Sequence, residues 1–347
     1  VEAAIDGCSG SDIQQCLIDP NEFTVQLYAS RAADPSKINI NFNLPAGASI
    51  VPVQRFTEDG INTYNFKDEN PRLFKVTSED GAFSAIYTIR LWQTEMPFTY
   101  DFETLSSDNP YHKFTEDNPS SGTIIRRLEL ASGNPGFELT KMAKAPDGYP
   151  TVQVNGGVDG GKCVKLETKD TGSFGSMVKM YIAAGNLFIG TFEVGNALAN
   201  PRKATNFGFQ FDKRPKTLKG HYKFKAGDVY SAEGKPQEGV RDKCDIYAVM
   251  YEAENNSVML NGDDVFTSDK LVSLARIKPE DVVESDQWTD FEIPFEPVKG
   301  RVIDDTKLKN GEYKLGIVFS SSVDGAYFKG AVGSTLYVDE VELICED

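Results

Sequence analysis

The sequence predicts an all-β protein, and two observations carry that prediction. Short runs in which apolar and polar residues alternate recur along most of the chain, and alternation is typical of a strand rather than of a helix. The 30 Gly and 17 Pro residues supply turns between these runs. The last run, Thr335–Leu343, alternates along its whole length, so we expect Leu336 and Val338 to share one face with Glu340 and Glu342. A chain of 347 residues is long enough for two domains with buried cores.

The first 97 residues predict a small β-sandwich of immunoglobulin type behind a polar lead-in. About six short strands, with turn residues between them, are typical of such a domain. Their patterns lie at Phe23–Tyr28, at 38–45, at 45–53, and on both sides of the turn Ser78–Gly81 within 73–92. Pro97 ends this module, so we place the domains at 1–97 and 98–347.

The strand patterns within 98–347 predict that the second domain is a jelly-roll sandwich. Eight or more strands connected by long loops are typical of that fold. A polar segment at 106–123 reads as an irregular surface loop, and PEDVVE (279–284) predicts a short helical turn with Pro at its start. The predicted strands are Cys163–Glu167, Ser176–Ile182, Asn206–Phe211, His221–Lys225, Ile246–Tyr251, Trp288–Pro294, Leu315–Phe319 and Thr335–Leu343.

Charge argues against nucleic acid as a partner, and hydropathy argues against a membrane-spanning segment. The formal net charge of −16 repels phosphate backbones, so nucleic acid is not expected as a partner, whereas neutral glycans are compatible with it. No run approaches the roughly 18 apolar residues that a membrane span requires. The chain opens VEAAIDGCSG without Met, so we expect a secreted or cell-envelope protein whose leader has been removed. Whether that leader carried a lipid anchor stays open.

The five cysteines have no metal-ligand spacing. Cys8 and Cys16 are close enough in sequence to form a disulfide in an oxidising compartment. Cys163 and Cys345 lie in apolar strand patterns and are expected to be buried thiols. We therefore expect no catalytic cofactor and no cysteine-based metal site.

A ligand-binding face is predicted from two strand patterns. If 206–211 and 221–225 form a hairpin, their Phe and Tyr residues share a core face, and the opposite face carries amides and cations. Aromatic rings suit the apolar face of a sugar ring, and amides or charged groups suit its hydroxyls. The candidate ligand-binding residues are Gln210, His221, Lys223, Tyr247 and Tyr251. The alternative is that these residues belong to an ordinary solvated sheet.

Catalytic chemistry is less well marked. Hydrolysis of a glycosidic bond needs two carboxylates on opposite sides of that bond, and Glu252, Asp290 and Glu292 are candidates because they lie on or beside predicted strands. A nucleophilic triad is not expected, since only His112 and His221 could act as its base and no G-x-S-x-G motif is present. The basic connection 212–220 either meets an acidic glycan or is a solvated turn.

Several motifs occur together in an order that resembles one family. They are ASGNPGF (131–137), AAGNLFIGTF (183–192), FGFQFDKRPKTLKGHYKFKAGD (207–228), YAVMYE (247–252) and WTDFEIPF (288–295). This set resembles the putative carbohydrate metabolism domain of secreted or surface lipoproteins of Bacteroides-type bacteria, often preceded by an Ig-like module. The resemblance covers roughly 98–347 and implies a carbohydrate-related jelly roll in the cell envelope.

Two further stretches, NPGFE (134–138) and YVDEVEL (337–343), are similar to the first and last strands of carbohydrate-binding modules. In those modules such acidic residues help to hold a structural calcium ion. The similarity implies a calcium site at Glu138 and Asp339, with Glu103 in place of Glu138 if the first strand starts earlier.

Three functional hypotheses follow. The first is a glycan-binding protein of the cell envelope that captures or metabolises polysaccharide. The second is a glycoside hydrolase on the same fold, and the third is a structural or adhesion protein without a sugar site.

Overall fold

A computed structural model of the chain describes residues 3–20, 22–30, 32–54, 62–68, 71–118, 126–255 and 258–346. The protein is mostly β: 47% of it is strand, arranged in several antiparallel sheets, and 11% is helix. The predicted β-rich class is therefore confirmed. The chain divides into two compact units. The first comprises Val1–Glu95, Asp117–Arg127 and Asn255–Val258, and the second comprises Met96–Glu116, Leu128–Glu254 and Met259–Asp347. None of the described helices has the length and apolar character needed to cross a bilayer.

The first unit is organised around one five-stranded sheet. Its strands are β1 (Gly7–Ser9), β2 (Ile13–Asp19), β3 (Thr24–Ser30), β4 (Ile38–Asn39), β5 (Asn41–Asn43), β6 (Ser49–Pro52), β7 (Thr63–Tyr64), β8 (Arg72–Thr77) and β9 (Ser84–Thr94). The sheet has the order β2-β3-β9-β8-β6, in which β3 and β9 run parallel, while β1 pairs with β5 and β4 pairs with β7. Alternate residues such as Val25, Leu27, Tyr87 and Ile89 are buried, as their period predicts.

A disulfide, which the sequence left open, joins Cys8 and Cys16, with 5.9 Å between the two Cα atoms. It joins β1 to β2, and both cysteines pack against the apolar core of this unit. Cys163 and Cys244 are buried free thiols, and Cys345 is a half-buried one.

The remaining elements lie in the second unit, apart from the Asp117 end of β12 and the Arg127 end of β13, which are assigned to the first. Its strands are β10 (Thr99–Tyr100), β11 (Leu105–Ser107), β12 (Lys113–Asn118), β13 (Arg126–Glu129), β14 (Ala131–Ser132), β15 (Thr151–Asn155), β16 (Lys162–Glu167), β17 (Lys169–Asp170), β18 (Ile182–Ala183), β19 (Asn186–Phe188), β20 (Gly190–Phe192), β21 (Thr205–Phe207), β22 (Phe209–Gln210), β23 (Pro215–Lys225), β24 (Tyr230–Ala232), β25 (Lys235–Pro236), β26 (Asp245–Glu252), β27 (Leu260–Asn261), β28 (Leu271–Arg276), β29 (Ser285–Pro294), β30 (Glu296–Pro297), β31 (Tyr313–Ser320), β32 (Gly330–Ala331) and β33 (Thr335–Cys345). Its α-helices are α1 (Asn134–Glu138), α2 (Gly172–Met177) and α3 (Asp305–Lys309). Short 3-10 helices lie at Pro146–Gly148, Val194–Asn196, Pro201–Ala204, Pro279–Asp281, Val298–Gly300 and Gly325–Tyr327.

Two large antiparallel sheets carry most of this unit. The six-stranded sheet has the order β15-β16-β33-β23-β29, and β10 also pairs with β33. The seven-stranded sheet has the order β14-β19-β31-β26-β28-β30, and β22 also pairs with β31. Strands β26 and β31 lie in its middle and are buried on both faces, which explains why their sequences read as nearly continuous apolar runs.

The closing strand β33 does not alternate along its whole length. Glu340 has a φ of +46°, and the pairing of β33 with β23 shifts register between Lys219 and His221. This β-bulge inserts one extra residue, so Val341 follows Val338 onto the buried face and Glu340 leaves it. The predicted grouping of Glu340 with Leu336 and Val338 is therefore wrong, and Asp339 is buried at the bulge.

Other predicted elements also need correction. The strand predicted at Ser176–Ile182 is wrong for most of its length, because Gly172–Met177 is a helix and only Ile182 continues into a strand. The segment Asn206–Phe211 is broken at Gly208, whose φ of +92° turns the chain between two sheets. The loop predicted at 106–123 contains β12, whereas the helical turn at Pro279–Asp281 is confirmed.

Candidate functional site

The second unit holds a cavity of about 410 Å³ over one face of the seven-stranded sheet. Its floor is formed by Asp245 and Tyr247 of β26 and by Val318 and Ser320 of β31. These four residues share a face because Asp245 pairs with Ser320 and Tyr247 pairs with Val318 in the antiparallel register. The volume lies within the range of ligand-binding cavities in proteins.

Aromatic rings cross this cavity in edge-to-face contact. The Phe188 and Phe207 ring centroids are 5.3 Å apart, and those of Phe207 and Tyr247 are 6.4 Å apart. Phe266 continues the series at 4.9 Å from Tyr247. All four rings line the cavity, so aromatic side chains form part of the surface that a ligand inside it would meet.

An ion pair between a buried carboxylate and a half-buried guanidinium lies beside these rings. Arg276 donates to Asp245 through Nε (3.0 Å to Oδ1) and through Nη2 (2.7 Å to Oδ2), which is the bidentate geometry of a strong charge-assisted pair. Asp245 is 4% exposed, and its burial raises the pKa of the carboxyl while Arg276 opposes that rise. The Arg276 guanidinium lies 4.0 Å from the Phe266 ring centroid. The pair therefore holds a planar cation, with further N–H groups, at the cavity wall.

Two of the sequence motifs are joined by asparagine side chains. Asn186 Oδ1 accepts a hydrogen bond from Gly133 N at 2.7 Å. Asn134 is completely buried; its Nδ2 donates to Thr151 O at 2.8 Å, and its Oδ1 accepts from Thr151 N at 3.1 Å. Thr151 Oγ1 in turn donates to Asn186 O at 2.8 Å. This amide clamp (Asn134, Thr151 and Asn186) fixes α1 against β19, so that Gly133 and Asn186 line the cavity together.

The cavity also has exposed apolar lining and a second carboxylate. Leu198, Phe266 and Tyr327 are exposed lining residues, and the Arg202 guanidinium lies 5.0 Å from the Tyr327 ring centroid. Asp324 lines the cavity and accepts a hydrogen bond from Tyr230 Oη at 2.8 Å. Exposed apolar side chains around a cavity are typical of interaction sites.

The five predicted ligand-binding residues do not form one face. Tyr247 lines the cavity, but Tyr251 is 0% exposed and donates its hydroxyl to Phe207 O at 2.5 Å. His221 and Lys223 lie on β23 of the other large sheet. Gln210 lies on β22 and donates to Gly311 O at 2.9 Å. The predicted hairpin is wrong, because β22 pairs with β31 whereas β23 pairs with β29 and β33.

None of the three predicted catalytic carboxylates is among the residues that line the cavity. Glu252 is bound by Arg301 at 2.8 Å and by Lys307 at 3.1 Å. Desolvation acts to raise the pKa of Glu252, but the two cations outweigh it, so the pKa is lowered. Asp290 and Glu292 are exposed on β29, and His221 Nδ1 lies 2.8 Å from Asp290 Oδ1.

The predicted calcium ligands have different surroundings. Glu138 accepts hydrogen bonds from Lys141 Nζ at 2.6 Å and from Tyr149 Oη, so its carboxylate is already engaged. Asp339 is 2% exposed; Oδ2 accepts from Val158 N at 2.7 Å, while Oδ1 has no hydrogen-bond partner among the described residues. Burial raises the pKa of Asp339, and the charges of Glu103 and Asp101 add to that rise. Within the described part of the chain, no three His, Cys, Asp or Glu residues form a metal-binding group.

Sequence reasoning missed most of the residues that line the cavity. Asp245 and Arg276 are 31 positions apart and carry no shared motif, and Phe266 follows a polar loop. The signal that was available is the pair of motifs ASGN and AAGN, whose Gly and Asn residues the amide clamp brings together. Their spacing along the chain does not reveal that contact.

Fold and cavity together define a class: a mostly β protein with a cavity lined in part by aromatic rings in its larger unit. Residues 101–344 match the family described as Putative carbohydrate metabolism domain. The chain belongs to that family, which confirms the resemblance read from the motifs.

Two solved structures are similar to the whole chain or to most of it. A putative glycoside hydrolase from Bacteroides thetaiotaomicron VPI-5482 is 41% identical, with a TM-score of 0.84 over 100% of this chain and 97% of that one. A putative glycoside hydrolase from Bacteroides vulgatus ATCC 8482 is 37% identical, with a TM-score of 0.67 over 73% of this chain and 100% of that one. No curated protein matches the chain.

Proposed function

We propose that the second unit binds an oligosaccharide in the cavity and that the protein captures or processes polysaccharide at the cell envelope. The observation that carries this proposal is the series of rings from Phe188 to Phe266 ending at the Arg276–Asp245 pair. Rings supply apolar surface for the C–H face of a pyranose, and the guanidinium supplies donors for its hydroxyls. Membership of a carbohydrate metabolism family supports the same ligand class.

The architecture and location that we propose agree with this role. The five-stranded sheet and core of the first unit support an Ig-like sandwich that acts as a spacer, and the two large antiparallel sheets of the second unit support a jelly roll. The Cys8–Cys16 disulfide supports an oxidising, extracytoplasmic location for the first unit.

Glycan binding is tested with an array of plant, host and microbial polysaccharides. We expect wild-type protein to bind at least one glycan, and Tyr247→Ala and Phe266→Ala to weaken that binding by on the order of tenfold, because each removes a ring from the cavity. Phe83→Ala is the matched control, since Phe83 is an exposed ring of the first unit. Equal binding by wild type and both cavity variants would place the glycan elsewhere. Binding to no glycan would favour the structural or adhesion hypothesis.

A glycoside hydrolase is the second candidate, because two carboxylates, Asp245 and Asp324, line the same cavity. Such enzymes use a pair of carboxyl groups around the scissile bond. Both oxygens of Asp245 are held by Arg276, so Asp324 is the carboxylate we assign to proton transfer. Release of reducing sugar by wild type and its loss in Asp324→Asn, with binding retained, would establish hydrolysis. A glycan that binds to wild type and stays intact would leave binding as the function.

We also propose that calcium stabilises the second unit at Asp339, with Glu103 rather than Glu138 as the second acidic side chain. The buried Oδ1 of Asp339, without a hydrogen-bond partner among the described residues, supports a cation there. Glu103 Oε1 accepts from Lys162 N at 2.6 Å, and its charge acts on Asp339, whereas Glu138 is engaged by Tyr149 and Lys141.

A further inference from the structure

The outward face of strand β23 carries a row of basic side chains in an otherwise acidic protein. Lys219, His221, Lys223 and Lys225 alternate with the buried residues Gly220, Tyr222 and Phe224. Two members of this row are matched by carboxylates. Lys219 Nζ lies 2.6 Å from Glu342 Oε2, and His221 Nδ1 lies 2.8 Å from Asp290 Oδ1.

Lys223 is placed differently from those two neighbours. Its Nζ lies 4.4 Å from the Trp288 ring centroid and 4.7 Å from the Tyr337 ring centroid. Trp288 comes from β29 and Tyr337 from β33, the two strands that flank β23, and both side chains are half-buried. No carboxylate of the described residues forms an ion pair with Lys223, and its ammonium group instead makes cation–π contacts with the two rings. The three residues form an aromatic strip with a cation at its centre.

We propose that this strip, Trp288–Lys223–Tyr337, binds an acidic oligosaccharide whose sugar rings carry carboxylates. A pyranose ring can lie on Trp288 or Tyr337 while the carboxylate at its C5 reaches the ammonium group of Lys223. A neutral sugar would leave that ammonium without an anion, so charge complementarity selects the acidic class. The strip shares no residue with the cavity lining, so this site is independent of the oligosaccharide site proposed above.

The net charge of the protein bears on the length of the acidic ligand. A charge of −16 repels a long polyanion at a distance, so the attraction to Lys223 acts only at short range. We therefore expect a short uronic acid chain to bind as well as the polymer does. We also expect phosphate-rich nucleic acid not to bind.

Tetragalacturonate and its fully methyl-esterified form are the matched probes, because esterification removes the charge and keeps the sugar chain. The protein has two Trp residues, so the Trp92→Phe variant leaves Trp288 as the fluorescent reporter of the strip. Tetragalacturonate should shift Trp288 emission saturably, and the ester should bind at least about tenfold more weakly, as loss of one charge-assisted contact implies.

Three substitutions in the Trp92→Phe background locate the site. Lys223→Met keeps most of the side chain and should weaken tetragalacturonate binding about tenfold, whereas Lys219→Met, on the same strand and face but paired with Glu342, should change it less than about twofold. Tyr247→Ala in the cavity should leave it unchanged. Thermal unfolding confirms that each variant is folded. The proposal is overturned if the two probes bind equally or not at all, if Lys223→Met binds like wild type, or if Tyr247→Ala abolishes binding.

Discussion

At the scale of single residues, Lys314 is the most unusual buried side chain. It lies on β31, is 2% exposed, and its Nζ is 3.0 Å from Met259 Sδ. Burial lowers the pKa of Lys314 to about 7. The pKa of Lys314 is thus lower in the folded protein than in the unfolded chain. The stability of the fold with a neutral Lys314 is therefore fully present above the unfolded pKa, and it is lost as the pH falls towards 7 and the buried amine must take up a proton.

We therefore predict that Lys314→Met changes the pH dependence of stability. Relative to the variant, the unfolding free energy of wild type should rise by about 3 kcal/mol between pH 7 and pH 10, which urea unfolding at each pH measures. Lys225→Met, at an exposed position on β23, is the control and should track wild type. Parallel curves for wild type and Lys314→Met would contradict the depressed pKa.

Asp242 supports a second prediction at this scale. Its buried carboxylate accepts from Ser322 Oγ at 2.6 Å, Ala331 N at 2.7 Å, Ser334 Oγ at 2.7 Å and Lys243 N at 2.9 Å. Asp242→Ala leaves these donors without an acceptor, so it should lower the unfolding free energy by about 3 kcal/mol or more. Urea unfolding measures the loss, with Asp286→Ala on the exposed part of β29 as the control. A loss below about 0.5 kcal/mol would mean that other groups replace the carboxylate.

At the scale of elements, the amide clamp fixes the cavity wall. Asn186→Ala removes the acceptor of Gly133 N, so we expect a loss of about 1–3 kcal/mol in stability and weaker binding of any cavity ligand. Calorimetry and a binding titration measure the two effects. The control is Asn196→Ala, whose amide donates to Glu193 on the surface and whose loss should matter little. Unchanged ligand affinity in Asn186→Ala would show that the wall does not depend on the clamp.

The bulge in β33 shows how one residue redirects an element. Without the extra residue, Val341 and Leu343 would leave the face that Leu336 and Val338 bury. The left-handed backbone at Glu340 avoids that outcome and brings Asp339 into the interior. The calcium proposal thus depends on the β-bulge at Glu340, which the alternation of apolar and polar residues in the sequence does not indicate.

At the scale of the whole molecule, calcium should raise the unfolding temperature of the protein by about 3 °C, and EDTA should reverse the rise. Differential scanning calorimetry of chelated and calcium-loaded protein measures it. Asp339→Asn should abolish the response, whereas Glu138→Gln should retain it because Glu138 is engaged by Tyr149 and Lys141. A response lost in Glu138→Gln and kept in Asp339→Asn would reverse our choice of ligands.

Sequence and structure agree best where local pattern decides. The runs that became β26 and β31 are close to their predicted bounds, because central strands buried on both faces must be apolar whichever strands they pair with. The bounds of β16 are also close, because Val164 and Leu166 alternate with Lys165 and Glu167. The strand predicted at Ser176–Ile182 is wrong because Ser176 and Met177 end the helix α2, which places Phe174 one turn before Val178 on the cavity wall. The other residues of that wall are distant in sequence, so the local pattern does not indicate the helix. The ligand residues were grouped wrongly because β22 and β23 are neighbours in sequence but belong to different sheets.

The sequence by itself determined the β class, the family and the aromatic character of the protein, because each depends on local composition or motif. It allowed a Cys8–Cys16 disulfide, and the structure decided that the bond forms. Only the tertiary structure decided which strands are partners, and with them the cavity, the Arg276–Asp245 pair and the strip around Lys223. The physical reason is that any strand offers the same backbone hydrogen bonds to any other. The choice between partners is made by packing across the whole molecule.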